Sequence, residues 1–261
     1  MNYRPKNYGR RTFRQYVEQV NYTLDRNLTR GVKWLMLINV AVFLVEFFVL
    51  IPLRVDDLFI ALFAQNPVVQ FTESDAGLGI KFNWLCVMQF FTYMFLHASF
   101  WHLFWNMLAL WFFGPPLEAR WGKVVFLKFY LFTGFTAGAL HGLVAPFFTT
   151  DNYYMIGASG AIFGVLLAFA ICYPQQKVLL WFVLPMASRY FVILIGVFTF
   201  LSLLGGGGST ISHFTHLAGL AFGYLWIRLG ERYPSAWLFD PRVLPFSRSR
   251  QRYDRLGGSD E

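Results

Sequence analysis

The chain has 261 residues, of which 56% are hydrophobic, 20% aromatic and only 14% charged; a soluble domain carries about 25% charged residues, so that class does not fit. The net charge of +8 raises nucleic acid as a partner. However, the Lys and Arg residues sit in the terminal segments and two short loops, which is a membrane-topology signal rather than a groove for phosphates. The expected partner is the lipid bilayer, with no nucleic acid.

In chain order, residues 1–33 form a polar, Arg-rich segment with no apolar core and no small-residue cleavage site, so no cleavable signal is read there. Phe13, Tyr16, Val17, Val20 and Leu24 recur at helical spacing beside Arg10, Arg11, Arg14 and Arg26. That pattern predicts a cationic amphipathic helix on an anionic inner leaflet. An organelle transit peptide also fits Arg richness, but Glu18 and Asp25 argue against it.

Apolar runs long enough to cross a bilayer, roughly 20 residues, follow at Trp34–Leu53, Phe100–Trp121, Val124–Phe147, Ile156–Tyr173, Ala187–Leu204 and His213–Leu229. They predict an all-α membrane protein with a six-helix transmembrane domain over residues 34–229. Asp56, Asp57, Glu73 and Asp75 surround the apolar stretch Asn83–Leu96. Residues 54–99 are therefore read as one large structured outer loop between the first two helices, partly dipped into the membrane face. Val178–Leu184, bracketed by Lys177 and Arg189, reads as an interfacial loop. Gly205–Ser209 gives the connection before the last helix unusual freedom, suited to a movable cap or to a plain linker. Residues 230–261 read as a basic, disordered cytoplasmic tail.

One side of this six-span arrangement holds 20 of the Lys and Arg residues and the other only Arg54 and Lys81. Both termini are expected in the cytoplasm. Cys86 and Cys172 then fall on opposite sides, too far apart for a disulfide.

Polar groups within lipid-depth segments are functional candidates, because they are costly unless they face a protein interior or water. Ser159 stands in Gly157-Ala158-Ser159-Gly160 and His216 in His216-Leu217-Ala218-Gly219. Gly219 and Gly223 share a face with His216, and Gly160 and Gly164 lie beside Ser159, so the two helices can approach closely. Both residues sit near the start of their helices, toward the outer face. A neutral imidazole there can take the serine proton, and a helix start offers unpaired N–H groups to an oxyanion. No acidic residue is placed to make a triad, which leaves a dyad. His102 and Asn106, one helical turn apart, are candidate oxyanion donors or an interhelical polar contact. His97 reads as a loop or cavity residue, and His141 and His213 as interfacial residues near span ends. Glu46 within the first span faces the bundle or the outer interface. There is no HExxH or Cys/His cluster, so no metal and no cofactor is expected.

Together these elements resemble the rhomboid intramembrane serine proteases. His97-Ala98-Ser99-Phe100-Trp101-His102-Leu103-Phe104-Trp105-Asn106 looks like that family's His-x4-His-x3-Asn segment. Glu118-Ala119-Arg120-Trp121-Gly122 resembles the segment closing the second helix, and the Ser159 and His216 segments resemble the nucleophile and base motifs. The resemblance implies Ser159 as nucleophile and His216 as base, with His102, Asn106 and the Ser159 N–H as oxyanion donors and Gly157, Phe163 and Gly219 in support. Phe163 stands where many members have a tyrosine stacked on the imidazole. The implied substrates are transmembrane helices that unwind near the outer face, with a small residue before the scissile bond. The expected location is a prokaryotic plasma (inner) membrane, with the site open to the outer face. Two alternative readings make different demands on the sequence. A pseudoprotease or derlin-like client-binding protein typically lacks the Ser or His, and a transporter predicts midplane charges and related halves.

Overall fold

A computed structural model describes residues 28–74, 77–147, 154–180, 184–205 and 210–232. The N-terminal amphipathic segment, Gly206–Ser209 and the C-terminal tail after Arg232 lie outside the described residues.

Among the described residues, six helices form the body. The first, α1 (Arg30–Val45), continues through a π-helical turn at Glu46–Leu50 and ends at Leu53. After α2 (Asp56–Phe63), the hairpin β1 (Val69–Ser74) and β2 (Gly77–Phe82), and α3 (Cys86–Thr92) come the longer helices. These are α4 (Phe100–Trp121), α5 (Lys123–Val144) and α6 (Ser159–Cys172). The hairpin of β3 (Lys177–Leu180) and β4 (Leu184–Ala187) leads into α7 (Ser188–Leu204), and α8 (Thr210–Arg232) closes the bundle. By length and composition, Arg30–Leu53 and Lys123–Val144 are apolar enough to cross a bilayer.

Several expected boundaries shift for local reasons. The first helix starts at Arg30, inside the segment assigned to the cytoplasm, because Glu118 caps it from α4. One carboxylate oxygen accepts from Gly31 N at 2.7 Å, and the other from Val32 N at 2.8 Å and Thr29 Oγ1 at 2.5 Å. Those are donors that a helix start leaves unpaired. The fourth helix starts at Ser159 rather than Ile156, since Gly157 has φ +122°. Ala187 belongs to β4, and the fifth helix starts one residue later. The sixth helix runs three residues beyond each end of His213–Leu229.

The described residues are mostly helical, as an all-α membrane protein requires, and two antiparallel strand pairs, β1–β2 and β3–β4, lie in the connections. Val69 faces Phe82 in the first, and Lys177 faces Ala187 in the second. In connections between helices, backbone groups that no helix satisfies pair across strands instead.

The interior joins α4, α5, α6 and α8. Leu110 and Leu117 of α4, Phe126, Phe129 and Tyr130 of α5, and Ala161 and Val165 of α6 are fully buried. A Cβ on Gly219 would collide with the Gly160 carbonyl oxygen, and one on Gly223 would meet Gly164 Cα at 3.0 Å. α6 and α8 thus pack backbone against backbone.

The 54–99 segment is anchored by buried amides. Gln89 Nε2 donates to Ala61 O at 3.0 Å, Asn83 Nδ2 donates to Gln89 Oε1 at 2.7 Å, and Thr92 Oγ1 donates to Phe63 O at 2.7 Å. Phe90, Tyr93 and Met94 are buried. Outward faces of the helices carry large apolar side chains such as Phe48, Trp101 and Phe198, all exposed. Surfaces of that kind suit lipid rather than water.

Candidate active site

Ser159 is the first residue of α6. Its hydroxyl lies 2.8 Å from His216 Nε2, so two residues 57 apart in sequence meet at hydrogen-bond distance. The glycine contacts between α6 and α8 make this approach possible. α8 begins at Thr210 rather than His213, so His216 stands about 9 Å along the helix at 1.5 Å per residue, still level with Ser159. Only Ser159 occupies a helix start, so donors of that kind come from α6.

Phe163 lies one turn along α6 and stacks on His216, with ring centroids 4.3 Å apart and planes 9° from parallel. His213 meets the same imidazole edge-on at 6.1 Å. The ring is held flat by one neighbour and aimed at the hydroxyl by its own edge.

Gly157 brings the third helix face to the site. Its positive φ turns the chain sharply before α6, and a Cβ there would come within 2.6 Å of His102 Cε1 and Nε2. The His102 imidazole therefore covers the backbone just ahead of Ser159. Asn106 is buried, and its Nδ2 donates to His102 O at 2.9 Å. Ser99 caps α4, accepting from His102 N at 3.2 Å.

Behind these groups lie residues that the sequence did not single out. Tyr93 O accepts from Gly157 N at 2.9 Å, and its hydroxyl donates to Gly134 O at 2.7 Å, tying the loop to both α5 and the turn before Ser159. Gln65 and Met155 exchange two backbone hydrogen bonds, at 3.0 and 2.9 Å, which fix the same turn to the outer loop. No spacing pattern announces such backbone pairing.

His141 is not interfacial but fully buried. Its Nδ1 is 3.3 Å from Thr215 Oγ1, beside His216, because the α5 face carrying Gly134, Ala137 and Gly138 turns inward. His97 is buried edge-on to His102 at 5.0 Å, and neither ring nitrogen has a well-formed hydrogen bond, although the Phe95 backbone is near. Burial, with His102 adding, holds its pKa down at about 3. Glu46 is buried within its π-helical turn. Among the described residues, no group of three His, Cys, Asp or Glu side chains is placed to hold a metal.

A family model described as the Rhomboid domain matches residues 86–232, more than half of the chain. Rhomboid-like protein 11, chloroplastic, of Arabidopsis thaliana is 28% identical over 221 residues, covering 79% of this chain and 67% of its own length. Rhomboid protease GluP of Bacillus subtilis is 32% identical over 177 residues, covering 66% of this chain and 32% of its own. Rhomboid protein 1, mitochondrial, of Saccharomyces cerevisiae is 41% identical over 100 residues, covering 38% of this chain and 28% of its own. The chain thus spans about a third or less of the length of GluP and of the yeast protein.

Proposed function

The chain belongs to the rhomboid family of integral membrane proteins, and from that premise we propose that it is an intramembrane serine endopeptidase acting through a Ser159–His216 dyad. The observation that carries this reading is the 2.8 Å separation of Ser159 Oγ and His216 Nε2. The six helices are read as six membrane crossings with both termini cytoplasmic. The substrates are proteins with transmembrane helices, cut near the outer face without metal or cofactor.

In this mechanism the Ser159 hydroxyl donates to Nε2 of a neutral His216 protonated on Nδ1. As Ser159 Oγ bonds to the substrate carbonyl carbon, the hydroxyl proton moves to Nε2. The carbonyl π pair becomes an oxyanion. The N–H of Ser159, the second amide hydrogen of Asn106 and an imidazole N–H of His102 are the donors for that charge. Collapse of the intermediate breaks the C–N bond, and the nitrogen leaves with the proton from His216. Water then attacks the acyl-serine with His216 as base, releasing the acid and restoring the hydroxyl. Phe163 keeps the ring in plane throughout.

The deciding experiment uses the purified full chain in detergent or nanodiscs. A fluorophosphonate is expected to label the parent and not Ser159→Ala, and cleavage of a transmembrane substrate is expected to vanish in Ser159→Ala and His216→Ala with melting temperatures near wild type. Robust cleavage by Ser159→Ala would overturn the mechanism. Neither labelling nor cleavage by the parent would leave a rhomboid-like client-binding protein as the reading. Single-cysteine labelling with an impermeant reagent tests orientation: positions near Lys123 and Lys177 are expected to react only from inside.

A further inference from the structure

The phenol of Tyr93 is buried between two helices. On one side it occupies the space that α5 leaves by carrying glycine: a Cβ at Gly138 would come within 2.5 Å of the Tyr93 ring. The hydroxyl donates to Gly134 O, one turn earlier, at 2.7 Å. On the other side it faces α6, where a Cβ at Gly160 would stand 3.1 Å from the hydroxyl oxygen. Burial, with Tyr130 adding, raises the pKa of the phenol, so it stays protonated and keeps its donor role.

The main chain of Tyr93 reaches the same helix start. Its carbonyl oxygen accepts from Gly157 N at 2.9 Å and from Leu96 N at 3.3 Å, which uses both of its lone pairs. Tyr93 therefore faces the chain two residues before Ser159 and one residue after it. Between those two points stand the Ser159 N–H and hydroxyl, whose positions follow from the Gly157 turn, with its φ of +122°, and from the first turn of α6. The Tyr93 hydrogen bonds run to α5 and to this turn, whereas His102 and Asn106 are carried by α4.

We propose that Tyr93 is a positioning residue for the reaction: it fixes the height of the first turn of α6, and with it the Ser159 N–H that faces the oxyanion, without touching the substrate. This role rests on the serine-protease reading above. Removing the hydroxyl lets the first turn of α6 shift into the space it leaves. A reacting group displaced by an ångström can cost up to about 10²-fold in rate, while ground-state binding of the substrate, made elsewhere, changes little. The loss therefore falls on kcat rather than KM. A purely structural Tyr93 would instead give an earlier melt with kcat intact.

The test reads cleavage kinetics and amide hydrogen exchange on the same preparations of the full chain in nanodiscs. In wild type, residues 156–160 should exchange slowly, like the interior of α5, because Gly157 N–H is engaged. Tyr93→Phe should lower kcat by about five- to a hundredfold with KM nearly unchanged. It should also speed exchange of residues 156–160 about fivefold, the net worth of one hydrogen bond, leaving α8 as in wild type. Gly160→Ala crowds the hydroxyl and should lower kcat too. Combined with Tyr93→Phe, it should cost less than the product of the two single effects, since the added methyl fills the space the hydroxyl leaves. Exchange of residues 156–160 in wild type at the rate of an exposed loop would overturn the proposal. So would unchanged kcat and exchange in Tyr93→Phe, or single effects that simply multiply. A wild type that neither cleaves nor takes up a fluorophosphonate would sink the protease reading and the catalytic role of Tyr93 together, and exchange alone would then decide whether Tyr93 holds the turn.

Discussion

The ring of Phe163 lies parallel to the imidazole of His216, centroids 4.3 Å apart, while His216 Nε2 sits 2.8 Å from Ser159 Oγ. An aromatic pair of this kind is worth about 0.5–1.5 kcal/mol beyond its buried area. Phe163→Ala should therefore lower kcat by roughly two- to tenfold as the imidazole loses its plane. Phe163→Tyr keeps the stacked ring and should stay within that range of wild type. Steady-state cleavage of one substrate by the three proteins checks both outcomes.

The oxyanion assignment separates from a purely structural role at Asn106. Asn106→Ala should lower kcat by about 10²–10³ with a smaller effect on KM, the usual loss for one such donor. An earlier melt with near-normal kcat, measured where the variant stays folded, would remove Asn106 from the site.

Two glycines, Gly219 of α8 facing α6 and Gly196 of α7 facing α8, should behave oppositely. A Cβ at Gly219 meets the Gly160 backbone, whereas one at Gly196 meets only Leu220 Cδ1 at 3.6 Å, an ordinary contact. Gly219→Ala should destabilise by about 1–3 kcal/mol, as overpacking does, and lose activity as α6 and α8 separate. Gly196→Ala should be neutral or stabilising, since alanine favours helix by up to about 1 kcal/mol. Thermal melts with parallel cleavage assays test the pair.

Glu118 holds the start of α1 through three donors, with no ring or backbone of the site among them. Glu118→Ala leaves those donors unpaired and should cost about 1–3 kcal/mol of stability. At temperatures where the variant is folded, kcat should remain near wild type. A large fall in kcat without loss of stability would contradict this.

His97 is neutral in the fold, with its pKa depressed by burial from 6.5 to about 3. Protonation therefore favours the unfolded state. The stabilising contribution is complete above pH 6.5, falls as the pH drops through 6.5, and stops falling below about 3. Between pH 8 and pH 5 the melting temperature of the wild type should fall more steeply than that of His97→Gln. Parallel curves would show that His97 is solvated.

The sequence determined what the composition and spacing of residues can encode. Long apolar runs require helices, because backbone groups in lipid must be satisfied within the segment. Ser159, His216 and their glycines stood out as polar and small residues in apolar surroundings. Phe163 stands one turn from Ser159, and its stacking on His216 follows from that register.

Tertiary structure decided the rest, because those features depend on partners distant in sequence. The helix start at Arg30 is fixed by Glu118, more than 80 residues away, and buried His141 meets Thr215, 74 residues away. The hairpins arise from backbone pairing that side-chain pattern barely marks. The Gly157 turn takes its shape from Tyr93 and His102 together. Periodicity reports which face a helix hides; only the packed neighbours determine what that face meets, where the helix begins, and how near Ser159 comes to His216.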